Sequence, residues 1–115
     1  MRPLNGASRD LADVVVVGGG PAGLMAARAL ASSGRSVVVL EEHEHVGVPV
    51  HCTGLLGVDA FDELDIPRQA ILTITHAARF VAADGTDVEI DAERVRAAVV
   101  DRAVFDQALA DGARA

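Results

Sequence analysis

The chain has 115 residues, half of them apolar, with 10 basic and 17 acidic side chains and a formal net charge of −7. That length allows one domain, and the acidic balance excludes a nucleic-acid partner, because phosphate binding needs a basic footprint. The charge also argues against an electrostatic membrane anchor, while leaving open a peripheral, apolar contact with lipid.

Residues 1–10 are polar and aperiodic and read as a flexible leader ahead of a domain over 11–115. Val14–Val17 is a β-branched run ended by glycines, the pattern of a strand buried on both faces. Pro21 suits the first position of a helix, and Leu24, Ala27, Leu30 and Ala31 follow at helical spacing until Gly34 stops it. Ser36–Leu40 reads as a second buried strand, so a right-handed parallel crossover, the start of a βαβ fold, is expected. Asp10, Asp13 and Arg28 and the break at Gly18–Pro21 rule out a signal peptide or membrane span here, so the default location is the cytoplasm.

After Glu42 the pattern changes. Residues 43–54, with Gly47, Pro49 and Gly54, read as a loop, and Leu55–Leu64 as a short helix. Thr73–Ala82 and Thr86–Ile90 are strand-like runs around Asp84-Gly85, a hairpin-turn pair. Asp101–Ala110 is again helical, with Val104, Phe105, Ala108 and Leu109 on one side. The only aromatics are Phe61, Phe80 and Phe105, so the interior is expected to be mainly aliphatic, with Met25 as helix packing. The single cysteine, Cys52, excludes an intrachain disulfide.

Gly18-Gly19-Gly20-Pro21-Ala22-Gly23 fits G-x-G-x-x-G, and its setting between a strand and a helix is what makes it informative. Gly18 permits the tight turn, Gly20 leaves the backbone open to a pyrophosphate, and Gly23 allows close packing of the helix. The amides around Pro21 and Ala22 form a helix N-terminus suited to an anion. Glu41, closing the second strand with Glu42 after it, is positioned to accept hydrogen bonds from an adenosine ribose and disfavours the 2′-phosphate of NADP. The fingerprint alone does not separate FAD from NAD. The long excursion before the next helix is typical of FAD enzymes, an argument from fold analogy. His43, His45, His51 and Cys52 match no zinc spacing, and no metal is expected.

Three stretches together resemble the geranylgeranyl reductase family of FAD-dependent prenyl reductases. They are DVVVVGGGPAG over Asp13–Gly23 with VVVLEE at Val37–Glu42, VGVPVHCTG over Val46–Gly54, and VDRAVFDQAL over Val100–Leu109. The resemblance implies an α/β fold, a partial Rossmann-like FAD-binding domain akin to glutathione reductase and hydroxybenzoate hydroxylase. In it a βαβ start is followed by a loop and hairpin excursion and a helix. It implies that Gly18, Gly20, Pro21, Ala22, Gly23, Glu41 and Glu42 hold the adenosine half of FAD. Arg102 would lie beside the cofactor and pair with phosphate, unless it is a surface arginine paired to Asp106. Cys52 would face the flavin, either as a functional thiol or as a small filler, and no other catalytic residue is indicated. The implied reaction reduces C=C bonds of a prenyl lipid, with a nicotinamide such as NAD(P)H or ferredoxin as electron donor. An FAD-dependent aromatic hydroxylase, a non-catalytic dinucleotide-binding module and a simple NAD dehydrogenase are the other readings. Ala115 falls where a third parallel strand is expected, so the chain reads as a truncated part of such an enzyme, inactive by itself.

Overall fold

The computed structural model describes residues 11–91, 93–94 and 96–114. The expected leader lies outside them. Strand β1 (Val14–Val17) and strand β2 (Val37–Leu40) pair in parallel, from Val14 against Val37 to Val17 against Leu40. Helix α1 (Pro21–Ser32) forms the crossover, with Pro21 at its first position, where the missing N–H costs nothing. It ends as expected at Gly34, whose φ of +85° is the left-handed conformation a helix stop requires. Arg35 N–H then donates to the Leu30 carbonyl. The starts of the two strands are stapled by Asp13, whose carboxylate accepts the Ser36 N–H (2.8 Å) and hydroxyl (3.1 Å).

The two strands are not buried on both faces. Val15, Val17, Val38 and Leu40 are exposed, Val17 by 83%. Helix α1 covers one face of the pair, and the last helix packs on α1 instead of crossing to the other face. A continuous run of valines therefore records a strand without recording which of its faces this chain covers.

The excursion differs from expectation in three places. Leu55–Leu64 is not one helix: strand β3 (Leu55–Gly57) comes first, then helix α2 (Asp59–Glu63). The run Thr73–Ala82 breaks at His76 into β4 (Ile71–Thr75) and β5 (Ala77–Val81), which belong to different sheets. Among the described residues β5 pairs only with β6 (Asp87–Asp91), turning at Asp84-Gly85 as expected, with Gly85 at φ +87°. A further strand, β7 (Ala97–Val100), has no counterpart in the sequence reading. It is the centre of an antiparallel sheet ordered β3-β7-β4. Its sequence, Ala-Ala-Val-Val, has no polar alternation to mark it, and pairing on both sides makes it a strand. Helix α3 (Arg102–Arg114) then starts at Asp101, whose carboxylate caps the Ala103 and Val104 amides.

The core lies between α1, α2, β7 and α3. It joins Leu24, Phe61, Ile66, Ala70, Ala98, Val100, Phe105, Leu109 and Ala110, with Met25 packed against its edge. Two of the three phenylalanines are thus central, and β1 and β2 add no fully buried side chain. The β5–β6 ribbon stands apart, with all of its residues exposed. The molecule measures 70 × 29 × 19 Å, with a radius of gyration of 19.5 Å. A compact domain of this length would have about 13 Å.

Candidate functional site

The turn between β1 and α1 is built from glycines for identifiable reasons. Gly18 adopts φ +101°, and its N–H donates to the Leu40 carbonyl (2.7 Å), tying the turn to the end of β2. A Cβ on Gly23 would overlap the Gly18 carbonyl oxygen and touch Val16, so only glycine lets the first turn of α1 sit this close. A Cβ on Gly20 would meet nothing within 4 Å: that side of the turn is open. Among the described residues, no acceptor is found for the amides of Gly20, Ala22 and Gly23, and the first turn of α1 carries no acidic side chain. Together these leave unpaired N–H groups and the positive end of a helix facing open space, which fits a pyrophosphate.

Beside this turn lies a cleft of about 530 Å³. Its apolar walls come from α1, β2 and α3, including Ala27, Val39 and Ala110, and its polar rim from Gly19, Glu41 and His43. Glu41 is anchored at that rim. Its Oε2 accepts the Gly19 N–H (2.6 Å), and its Oε1 accepts the His43 N–H (3.0 Å) and Nδ1–H (2.8 Å). These bonds, the His43 amide first and then the Gly19 amide, lower the carboxyl to a pKa of about 2. Glu41 is therefore an ionised, fixed acceptor over the working pH range. Glu42 is exposed and off the cleft.

The 43–54 loop runs from this cleft to a second one. Gly47, at φ +79°, packs on the first turn of α3, where a Cβ would stand 2.9 Å from Asp106 Cβ. Gly54, at φ +77°, lies against the Val100 carbonyl and accepts the Val100 N–H (2.9 Å). Between them the loop and α3 enclose a cleft of about 190 Å³ that brings Cys52, Arg102 and Asp106 together. Arg102 binds Asp106 through Nε (3.0 Å) and Nη2 (2.9 Å), a two-point pair whose Asp106 is 4% exposed. This is the Asp106 pairing that the sequence offered as the alternative for Arg102, and it sets the guanidinium beside the exposed Cys52. The Gly54 amide first, and then the Arg102 guanidinium, lower the Cys52 thiol below its ordinary value.

Of the residues singled out in the sequence, Glu41 lines the first cleft and is tied through Gly19 to the turn that holds Gly18, Gly20, Pro21, Ala22 and Gly23, while Cys52 and Arg102 line the second. Sequence reading passed over Gly19 as a donor to Glu41 and His43 as its second anchor. It named Asp106 only as an alternative partner for Arg102. Of these, only the i, i+4 spacing of Arg102 and Asp106 carried a signal. Among the described residues no three His, Cys, Asp or Glu side chains are placed to hold a metal ion. No described helix is long and apolar enough to cross a membrane.

Residues 16–83 match the family of NAD(P)-binding Rossmann-like domains. The chain belongs to that family. A dinucleotide is accordingly the class of cofactor that both the family and the glycine turn support. The domain is 36% identical over 101 residues to the digeranylgeranylglycerophospholipid reductase of Methanosphaerula palustris, covering 84% of this chain and 25% of that protein. Its structure is similar to a geranylgeranyl bacteriochlorophyll reductase-like protein from Thermoplasma acidophilum, at a TM-score of 0.81 and 31% identity over 90% of this chain and 28% of that one. It is also similar to the myxobacterial chondrochloren halogenase, described as FAD-dependent, at a TM-score of 0.63 and 25% identity, covering 90% and 26% of the two chains. The chain thus spans about a quarter of the length of the relatives it matches.

Proposed function

We propose that this domain binds FAD and serves a flavin-dependent oxidoreductase that reduces C=C bonds of prenyl lipids. The observation that carries the reading is the extent of the likeness to prenyl reductases. It spans 84% of the chain and so reaches well past the glycine fingerprint that many nucleotide-binding proteins share. FAD is favoured over NADP because the ionised Glu41 at the cleft rim would repel a 2′-phosphate. It is favoured over NAD because β2 leads into the β3–β7 excursion before the next long helix, not directly into another crossover helix.

On this reading Gly18, Gly20, Pro21, Ala22 and Gly23 receive the pyrophosphate and Glu41 the adenosine ribose. Glu42, off the cleft, contributes only charge. Arg102 provides a fixed cation beside the cofactor, and Cys52 a reactive thiol facing the same space. When bound, FAD supplies hydride chemistry to an isolated double bond, with NAD(P)H as a suitable electron source. The substrate lipid would be met at a membrane surface through peripheral contact.

Two measurements test this. Flavin fluorescence titration of the purified chain is expected to show FAD binding, and saturation with NADP but not FAD would sink the cofactor assignment. Mass spectrometry of a geranylgeranyl glycerophospholipid, incubated with the flavin-reduced protein, is expected to show addition of hydrogen pairs when the domain is joined to the remaining domains of a prenyl reductase. Oxygen-dependent hydroxylation of an aromatic instead would move the domain to the monooxygenases.

A further inference from the structure

The anchoring of Glu41 extends the cofactor reading. An ionised carboxylate only accepts hydrogen bonds, so His43 Nδ1 carries the hydrogen in the 2.8 Å contact to Oε1. Oε1 also accepts the His43 N–H (3.0 Å), and Oε2 accepts the Gly19 N–H (2.6 Å). A carboxylate offers about four acceptor positions, so the one left lies on Oε2, the oxygen nearer the glycine turn. The imidazole thus occupies Oε1 and leaves Oε2 for a ligand. Both residues line the larger cleft, and the Glu41 side chain is only 21% exposed. Arg114, which also lines that cleft, is paired with Asp111 (3.0 Å).

We infer that His43 is a positioning residue that holds Glu41 in register with the ribose of an adenine nucleotide, so that Oε2 accepts a ribose hydroxyl. The inference rests on the reading of Glu41 as the ribose acceptor. The bond from the His43 backbone would survive replacement of the side chain, so the imidazole sharpens the site and does not create it.

The test titrates FAD into the whole chain by fluorescence quenching, with ADP and 2′-deoxy-ADP as competitors, for wild type, H43A, H43N and E41Q. Circular dichroism and urea midpoints control for folding. H43A is expected to weaken FAD binding about tenfold, the effect of losing one hydrogen bond to a charged group. It should also shrink the preference for ADP over 2′-deoxy-ADP, a discrimination that a purely structural role would leave intact. H43N, whose side-chain amide nitrogen stands where Nδ1 does, should recover most of both, and H43A added to E41Q should change nothing further. Unchanged or tighter FAD binding by H43A overturns the inference, since the imidazole would then be idle or a competitor for the carboxylate. Should wild type fail to bind FAD, or E41Q bind it as well as wild type, the ribose reading itself falls.

Discussion

Gly23 lies directly against Gly18: a Cβ on Gly23 would overlap the Gly18 carbonyl oxygen and stand 3.3 Å from Val16 Cγ1. The first turn of α1 and the end of β1 are therefore in backbone contact. Gly23→Ala must push them apart and is expected to cost about 2–3 kcal/mol by urea denaturation. Gly20→Ala provides the contrast, because its Cβ would point into open space. Stability should stay within about 1 kcal/mol of wild type, while FAD binding weakens at least about tenfold because the methyl group blocks approach to the amides.

Glu41 sets the pH range and the nucleotide preference. Its folded pKa of about 2 lies below the ordinary 4.5, so its contribution to stability is fully present above about pH 4.5. That contribution is lost as pH falls through 2. FAD affinity measured from pH 5 to 8 should accordingly show no step from this group. Glu41→Arg separates the cofactors: an FAD domain should lose affinity without gaining NADP, whereas an NAD enzyme should move toward NADP.

The Arg102–Asp106 pair is buried on the Asp106 side and about a fifth exposed on the Arg102 side. Asp106→Ala leaves the guanidinium without its partner and should destabilise the domain by about 2–3 kcal/mol, below the full cost of a completely buried pair. Replacing both residues together, as Arg102→Met with Asp106→Leu, should recover much of that loss in the same denaturation assay.

Cys52 is exposed, and its pKa is lowered by the Gly54 amide and by Arg102. Alkylation by iodoacetamide at pH 7.5 should outpace that of an unstructured cysteine peptide, because the thiolate is the reacting form. Arg102→Leu should slow it, and equal rates in the two proteins would remove Arg102 as a cause.

Two of the phenylalanines, Phe61 and Phe80, should separate cleanly. Phe61 is 2% exposed in the core, and Phe61→Ala should cost about 3–4 kcal/mol. Phe80, on the separate β5–β6 ribbon, is 61% exposed. Phe80→Ser should stay within about 0.5 kcal/mol of wild type in the same assay.

Most of what could be read directly lies within the continuous segment from Val14 to Glu41. Its valine runs, Pro21, the helical spacing after Leu24 and the stop at Gly34 act through neighbours on the chain, so pattern alone determined the βαβ unit and placed Glu41 next to the glycine turn. The hairpin at Asp84-Gly85 and the start of α3 at Asp101 were legible for the same reason. Only tertiary structure decided the rest. β3 and β7 become strands because Leu55 pairs with Val99 and Ile74 with Ala98, contacts that neither local sequence contains. The exposed face of β1 and β2 depends on where α3 packs. The meeting of Cys52 with Arg102 depends on Gly47 folding the loop onto α3. Periodicity reports which residues seek burial or a turn, while the partner that satisfies them is chosen by packing across the chain.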